Sequence, residues 1–126
     1  MVVLDTHTAI WWASDAPLLS SRAQRAIARA DRLGIPVIVF WEISLLVRKR
    51  RLDLDLPVHE WAAKIQAIPR VDALPLTADI ALLADSLTMH PDPADRCIVA
   101  TAIHHGVPIV TKDRLLRPLR IVKTIW

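Results

Sequence analysis

Cysteine occurs once in these 126 residues, tyrosine not at all, phenylalanine once and glycine twice. A lone Cys97 excludes an intramolecular disulfide. It falls in an apolar helical pattern, where a thiol behaves as a small core residue, and a reducing cytoplasm is the expected compartment. No apolar run approaches the roughly 20 residues that a membrane span needs. No basic region precedes the first apolar residues, so a signal peptide is not expected either. Two glycines leave no Gly-rich phosphate loop. The five histidines form no zinc signature: His-Glu-x-x-His is missing, and adjacent His104 and His105 would point to different sides of a helix. His7 and His90 stand near acids but read first as surface or helix-end positions. Ser44 lacks the Gly-x-Ser-x-Gly context of an activated nucleophile. Five tryptophans are the main aromatic content, thin material for base stacking.

The length fits one domain, residues 1–126, and a hydrophobic content of 53% can fill a substantial core. Sixteen Lys and Arg against 13 Asp and Glu give a net charge of +3 and a pI of about 9.6. Acids drawn into one site would leave the remaining surface more basic still, which favours a polyanionic partner such as nucleic acid.

Short apolar runs alternate with helical patterns. Val2 to Leu4 reads as a buried strand. Helical patterns follow to about residue 33, with Ser20 or Ser21 as a cap and Ala23, Ala26, Ile27, Ala30 and Leu33 as one stripe. Gly34 and Gly106 each stand where a helix-ending glycine belongs. The β-branched run Val37 to Phe40 reads as a second strand, followed by a helix carrying Ile43, Leu46 and Val47 and ending in the basic run Arg48 to Arg51. Pro57 starts a further helix. Val71 to Leu76 reads as a weak strand, and Thr77 caps another helix. Asp92-Pro93 opens a helix that runs to about His105. Val107 to Val110 is a strand, and Arg120 to Ile125 a final edge strand. This alternation implies an α/β domain: a mostly parallel sheet of four to five strands with helices on both faces.

Four acids sit where such a sheet places its site. Asp5 follows the first strand, Glu42 the second and Asp113 the last long one, while Asp95 opens a helix. Open α/β sheets bind ligands outside the carboxyl ends of their strands. Each acid also has an ordinary explanation. Asp5 is a good N-cap, and Glu42 suits the positive end of a helix. Asp92 caps ahead of Pro93. Asp95 can complete a capping box or face a cation. Asp113 can serve a turn. Jointly they would gather carboxylates along one edge, where mutual repulsion raises pKa values and a hard divalent cation relieves it. Arg96 and Lys112, each beside a site acid, are candidates for phosphate contacts. Arg48 and Lys49 are further candidates at a helix end.

Four segments carry a family likeness: Leu4-Asp5-Thr6-His7-Thr8-Ala9, Trp41-Glu42-Ile43-Ser44-Leu45-Leu46, Asp92-Pro93-Ala94-Asp95-Arg96-Cys97 and Val110-Thr111-Lys112-Asp113-Arg114. In order and spacing they resemble the PIN domain, and within it the VapC-type toxins of toxin–antitoxin systems. The resemblance implies a three-layer PIN-like domain. It also implies an acidic quartet of Asp5, Glu42, Asp95 and Asp113 binding Mg²⁺, with Mn²⁺ as substitute. Thr6 and Thr111 would be supporting hydroxyls and Asp92 an additional acid. RNA is the implied substrate, a cognate antitoxin the implied partner and a homodimer the implied assembly. The chain departs from the pattern in lacking a serine in the run before Trp41-Glu42, and in carrying Lys49-Arg50-Arg51 where relatives have glycine. Two other classes compete. A non-catalytic RNA-binding module would use the acids only as caps. A phosphoacceptor receiver domain would need paired acids after the first strand, where this chain has Asp5-Thr6.

Overall fold

The computed structural model describes residues 1–126. It contains β1 (Val2–Leu4), α1 (Thr6–Ala13), α2 (Ser21–Arg29), β2 (Leu33–Pro36), α3 (Val37–Arg48), α4 (Val58–Gln66), β3 (Val71–Leu74), α5 (Ala78–Ser86), α6 (Pro93–His105), β4 (Ile109–Val110) and β5 (Thr124–Ile125). All five strands are parallel, in the order β3-β2-β1-β4-β5, with six helices flanking the sheet. Central strands are short and continuously apolar because both faces are covered. Val3, Leu4, Leu33, Ile35, Ile109 and Val110 pack in one core with Val39, Ile43, Ile98 and Val99.

The strand order fixes where a ligand can enter. From β1 the chain steps outward to β2 and β3, then returns past β1 to β4. The direction of travel reverses between β1 and β4, and a crevice forms outside their carboxyl ends where the connections part. Leu4 is in register with Val110. The next residue on each side, Asp5 and Thr111, therefore opens onto that crevice from neighbouring strands.

The second strand is displaced from its expected place. The strand is Leu33-Gly34-Ile35-Pro36, and Val37 to Phe40 begins α3 instead. Val39 and Ile43 are both fully buried, one helical turn apart. That stripe outweighs the local β propensity of three branched residues. Pro36, which has no N–H to offer the ladder, marks the boundary. Gly34 is accordingly no helix cap. It lies inside β2, where a Cβ would come 2.6 Å from Leu74 Cδ1 and 3.1 Å from Met1 Sδ. Close approach of neighbouring side chains, not a turn, favours glycine there, since any Cβ would make the Leu74 side chain shift. Gly106 does end α6, at φ 66°, the left-handed conformation that suits glycine. The helical pattern expected to reach residue 33 stops at Arg29, and its cap is Ser20, whose hydroxyl accepts from Ala23 N–H at 3.1 Å.

Candidate active site

Asp5, Thr6, Glu42, Asp92, Asp95 and Asp113 line one cleft of about 650 Å³ at the carboxyl ends of the strands, rimmed by His7, Trp11, Lys112 and Arg114. Each acid arrives by a different route. Asp5 leaves β1 as the N-cap of α1, where its carboxylate accepts from Thr8 N–H at 2.8 Å. Thr8 in turn donates its hydroxyl to the Val110 carbonyl at 2.9 Å, tying α1 to β4. Asp113 N–H donates to the Thr111 hydroxyl at 3.0 Å, and the Asp113 carboxylate accepts from Leu115 N–H at 2.8 Å. These bonds hold the loop after β4 against the cleft.

Glu42 reaches the cleft from the second turn of α3, six residues beyond β2, not from a strand end or a first turn. Its side chain still arrives because the Thr6 hydroxyl donates to it across the gap between α1 and α3. Asp92 is the N-cap of α6 and accepts from Asp95 N–H at 3.0 Å. Capping and cleft lining coexist in this one residue.

Gathering these acids costs free energy in their ionised forms. Burial, then the charges of Asp92, Glu42, Asp113 and Asp5, push Asp95 up to about 7. Glu42 is raised mainly by desolvation, which outweighs the Thr6 hydrogen bond; Asp92 adds repulsion. Asp5 is raised by burial, against hydrogen bonding from Thr111 and Thr8. Desolvation and mutual repulsion both disfavour the anions, and a cation relieves both.

His90, near the acids in sequence and able to assist them but reading first as a surface or helix-end residue, does enter the site. Its Nε2 lies 3.5 Å from an Asp95 carboxylate oxygen and has no hydrogen-bond partner. One donor atom each from His90, Asp95 and Asp113 falls within a mutual 4.8 Å. Oxygen-rich donors and unrelieved repulsion, with an unpartnered imidazole nitrogen beside them, fit a divalent cation. Arg114 on the rim was not singled out in the sequence.

Three of the four basic candidates sit elsewhere. Arg48 and Lys49, at the far end of α3, do not line the cleft. Arg96 points away from it. Its guanidinium donates to the carbonyls of Ala84, Asp85 and Leu87 at the end of α5, and to those of Met89 and His90 in the following loop. The planar fork caps α5 and pins the loop carrying His90 against Asp95. Lys112 does face the cleft, with Nζ 5.6 Å from the Trp11 ring centre. Arg96→Ala is therefore expected to lower unfolding free energy by about 2–3 kcal/mol, since the bonds are charge-assisted. Arg96→Lys should recover less than half of it, because an ammonium cannot span that fan of carbonyls. Urea unfolding of the three proteins decides the point, and equal stabilities would refute the clamp.

The fold and this acidic cleft define a PIN-type protein. The profile of the PIN domain family matches residues 2–120, and the chain belongs to that family. Over 129 aligned residues it is 40% identical to a protein named Ribonuclease VapC22 from Mycobacterium tuberculosis, covering 99% of this chain and 98% of the relative. Solved structures share the fold at lower identity. A VapBC complex from Salmonella typhimurium bound to DNA aligns at TM-score 0.68 and 20% identity, covering 98% of this chain and 97% of the other. VapBC2 from Rickettsia felis, bound to a DNA fragment from its promoter, aligns at TM-score 0.69 and 16% identity over 98% and 97%.

Proposed function

We infer that this protein is a divalent-cation-dependent endoribonuclease that acts as the toxin of a toxin–antitoxin pair. The observation that carries the reading is the cleft at the β1/β4 reversal, lined by five carboxylates and rimmed by Lys112 and Arg114. A relative named as a ribonuclease, alignable end to end, supports RNA as the substrate. VapBC complexes of the same fold support an antitoxin partner.

Asp5, Asp95 and Asp113 would hold Mg²⁺ or Mn²⁺, with Glu42 as a fourth acid and Thr6 and Thr111 positioning Glu42 and Asp5. When bound, the ion would activate a water and stabilise charge on the scissile phosphate. The protein's own part is separate. Burial of Asp5, Thr6 and Thr111 fixes the floor of the cleft. Thr6 donates to Glu42 and holds its carboxylate facing inward. Lys112 and Arg114, exposed on the rim, meet the phosphates that an acidic floor alone would repel. A homodimer and a cytoplasmic location belong to the same proposal. No helix is long and apolar enough to cross a membrane.

The test is cleavage of a labelled RNA by purified protein with Mg²⁺ or Mn²⁺, with EDTA, and by Asp5→Asn. Cleavage should need the cation and fall by at least about 100-fold in the variant, the scale of losing one preorganised charged contact. Undiminished cleavage by Asp5→Asn, or in EDTA, would overturn the assignment. RNA binding without turnover under every condition would favour the binding-module reading instead.

A further inference from the structure

Residues 16–30, with Arg22, Arg25 and Arg29, and residues 114–126, with Arg114, Arg117, Arg120 and Lys123, are among the stretches of the chain that carry no acid. The fold brings them together, because α2 packs beside β4 and β5. Arg22, Arg25 and Arg29 recur at helical spacing on α2, opposite the buried Ala23 and Ile27. All three are exposed, as are Arg114, Arg117 and Lys123. The protein's three salt bridges involve none of them.

These cations are arranged in a row that begins at the acidic cleft. Arg114 lines both that cleft and a neighbouring hollow of about 560 Å³, which also contains Arg22 and Arg117 and no acid. Arg22 then lines a second hollow with Arg25, Arg29 and Lys123, again without an acid. Shared residues make one continuous path, from the cleft across the loop after β4 and onto α2. Exposed like charges held side by side repel each other. Several exposed cations sharing hollows that no acid lines are an unusual choice for a merely solvated surface, where mixed signs are the rule.

We propose that this row is a track for the phosphate backbone of the RNA strand leaving the cleft, with Arg114, Arg117 and Arg22 nearest the site and Arg25, Arg29 and Lys123 beyond. The proposal rests on the endoribonuclease reading for its substrate. Guanidinium forks meet phosphate oxygens in pairs, and a row of them reads the backbone and not the bases. The track therefore sets how long a strand must be to bind fully. It also assigns phosphate contact to a surface different from the basic end of α3, where Arg48 to Arg51 touch none of these hollows.

Binding of an RNA of about 20 nucleotides to the full chain, in EDTA and across a salt series, tests the track without turnover. The variant Arg22→Ala/Arg25→Ala/Arg29→Ala removes three contacts. Its plot of log affinity against log salt should be shallower by about 2, with affinity down about 10- to 100-fold at 0.1 M salt. Arg117→Ala/Lys123→Ala should act in the same direction from the other side of the row. Arg48→Ala/Lys49→Ala/Arg51→Ala loses as much charge and should bind like wild type. Circular dichroism confirms that each variant is folded. Equal weakening by the α3 variant, wild-type slopes in both track variants, or wild-type binding of polyaspartate as tight as that of RNA would each overturn the track. Cleavage by wild type with Mn²⁺ is read in parallel. Slope changes as expected without any cleavage would support the track and sink only the endoribonuclease reading, whereas cleavage with unchanged slopes would sink only the track.

Discussion

Asp95→Asn is expected to change stability and activity in opposite directions. In protein stripped of divalent cations at pH 8, the variant should unfold at a higher temperature than wild type. In the presence of Mn²⁺, it should cleave RNA about 100-fold more slowly or worse. The stability gain follows from what surrounds the carboxylate. Asp95 is partly buried at the start of α6, and Asp92, Glu42, Asp113 and Asp5 all act against its charge. Asparagine keeps the shape, removes the charge and leaves the Asp92 cap on the Asp95 backbone N–H untouched. Since Asp95 titrates at about 7 against an ordinary 3.8, the gain at pH 8 is about 1–3 kcal/mol, at about 1.4 kcal/mol per unit with allowance for solvent screening. At pH 5 wild-type Asp95 is mostly protonated and the difference should nearly vanish. Thermal melts at the two pH values, beside a cleavage assay, make the comparison. A variant that is less stable at pH 8 yet fully active would show that Asp95 is only a helix-start residue.

The sequence-legible part of this site is the part fixed by strand ends. Asp5 and Asp113 follow directly from apolar runs, and parallel order then requires them to share an edge. Asp92 and Asp95 follow from Asp92-Pro93, a helix start that the structure retains with its cap bond. Glu42 lines the cleft, but from a helix and not from the strand end that its sequence suggests. Its run of branched residues has strand propensity, but the buried pair Val39 and Ile43 imposes a helical period that a short window conceals. Gly34 shows the same limit, since only the tertiary position of Leu74 explains why space for a side chain is short there. The contacts of His90 and Arg96 and the place of Arg114 escape the sequence for another reason. Their roles depend on where the loops before α6 and after β4 lie in space, and no local pattern encodes that. Arg96 stands beside Asp95 in sequence, yet helical geometry sends its side chain back toward α5.

Divalent cations should stabilise the wild-type protein most where protons no longer do. Asp95, Glu42 and Asp5 all have folded-state pKa values above their ordinary ones. Between the ordinary carboxylate range and about pH 7 the folded protein therefore binds more protons than the unfolded chain, and stability falls as pH rises through that window. Two surface acids act oppositely. Asp31, hydrogen-bonded to the N-terminal ammonium, and Asp72, paired with Arg32, are shifted down, so their contributions are lost only as pH falls below about 4. The interval from pH 5 to 8 thus isolates the cleft. Across it, metal-free protein should lose about 1–3 kcal/mol, or roughly 5–10 °C in Tm. Mn²⁺ at 100 times its dissociation constant adds about 2.7 kcal/mol by mass action, and it should do so at pH 8 far more than at pH 5, where protons compete for the same oxygens. Asp95→Asn should flatten the pH dependence and shrink the response to Mn²⁺ together, because one charge underlies both. A melting temperature that ignores pH in EDTA, or rises equally with Mn²⁺ at both pH values, would mean that the carboxylates of this cleft are not the site at which the cation binds.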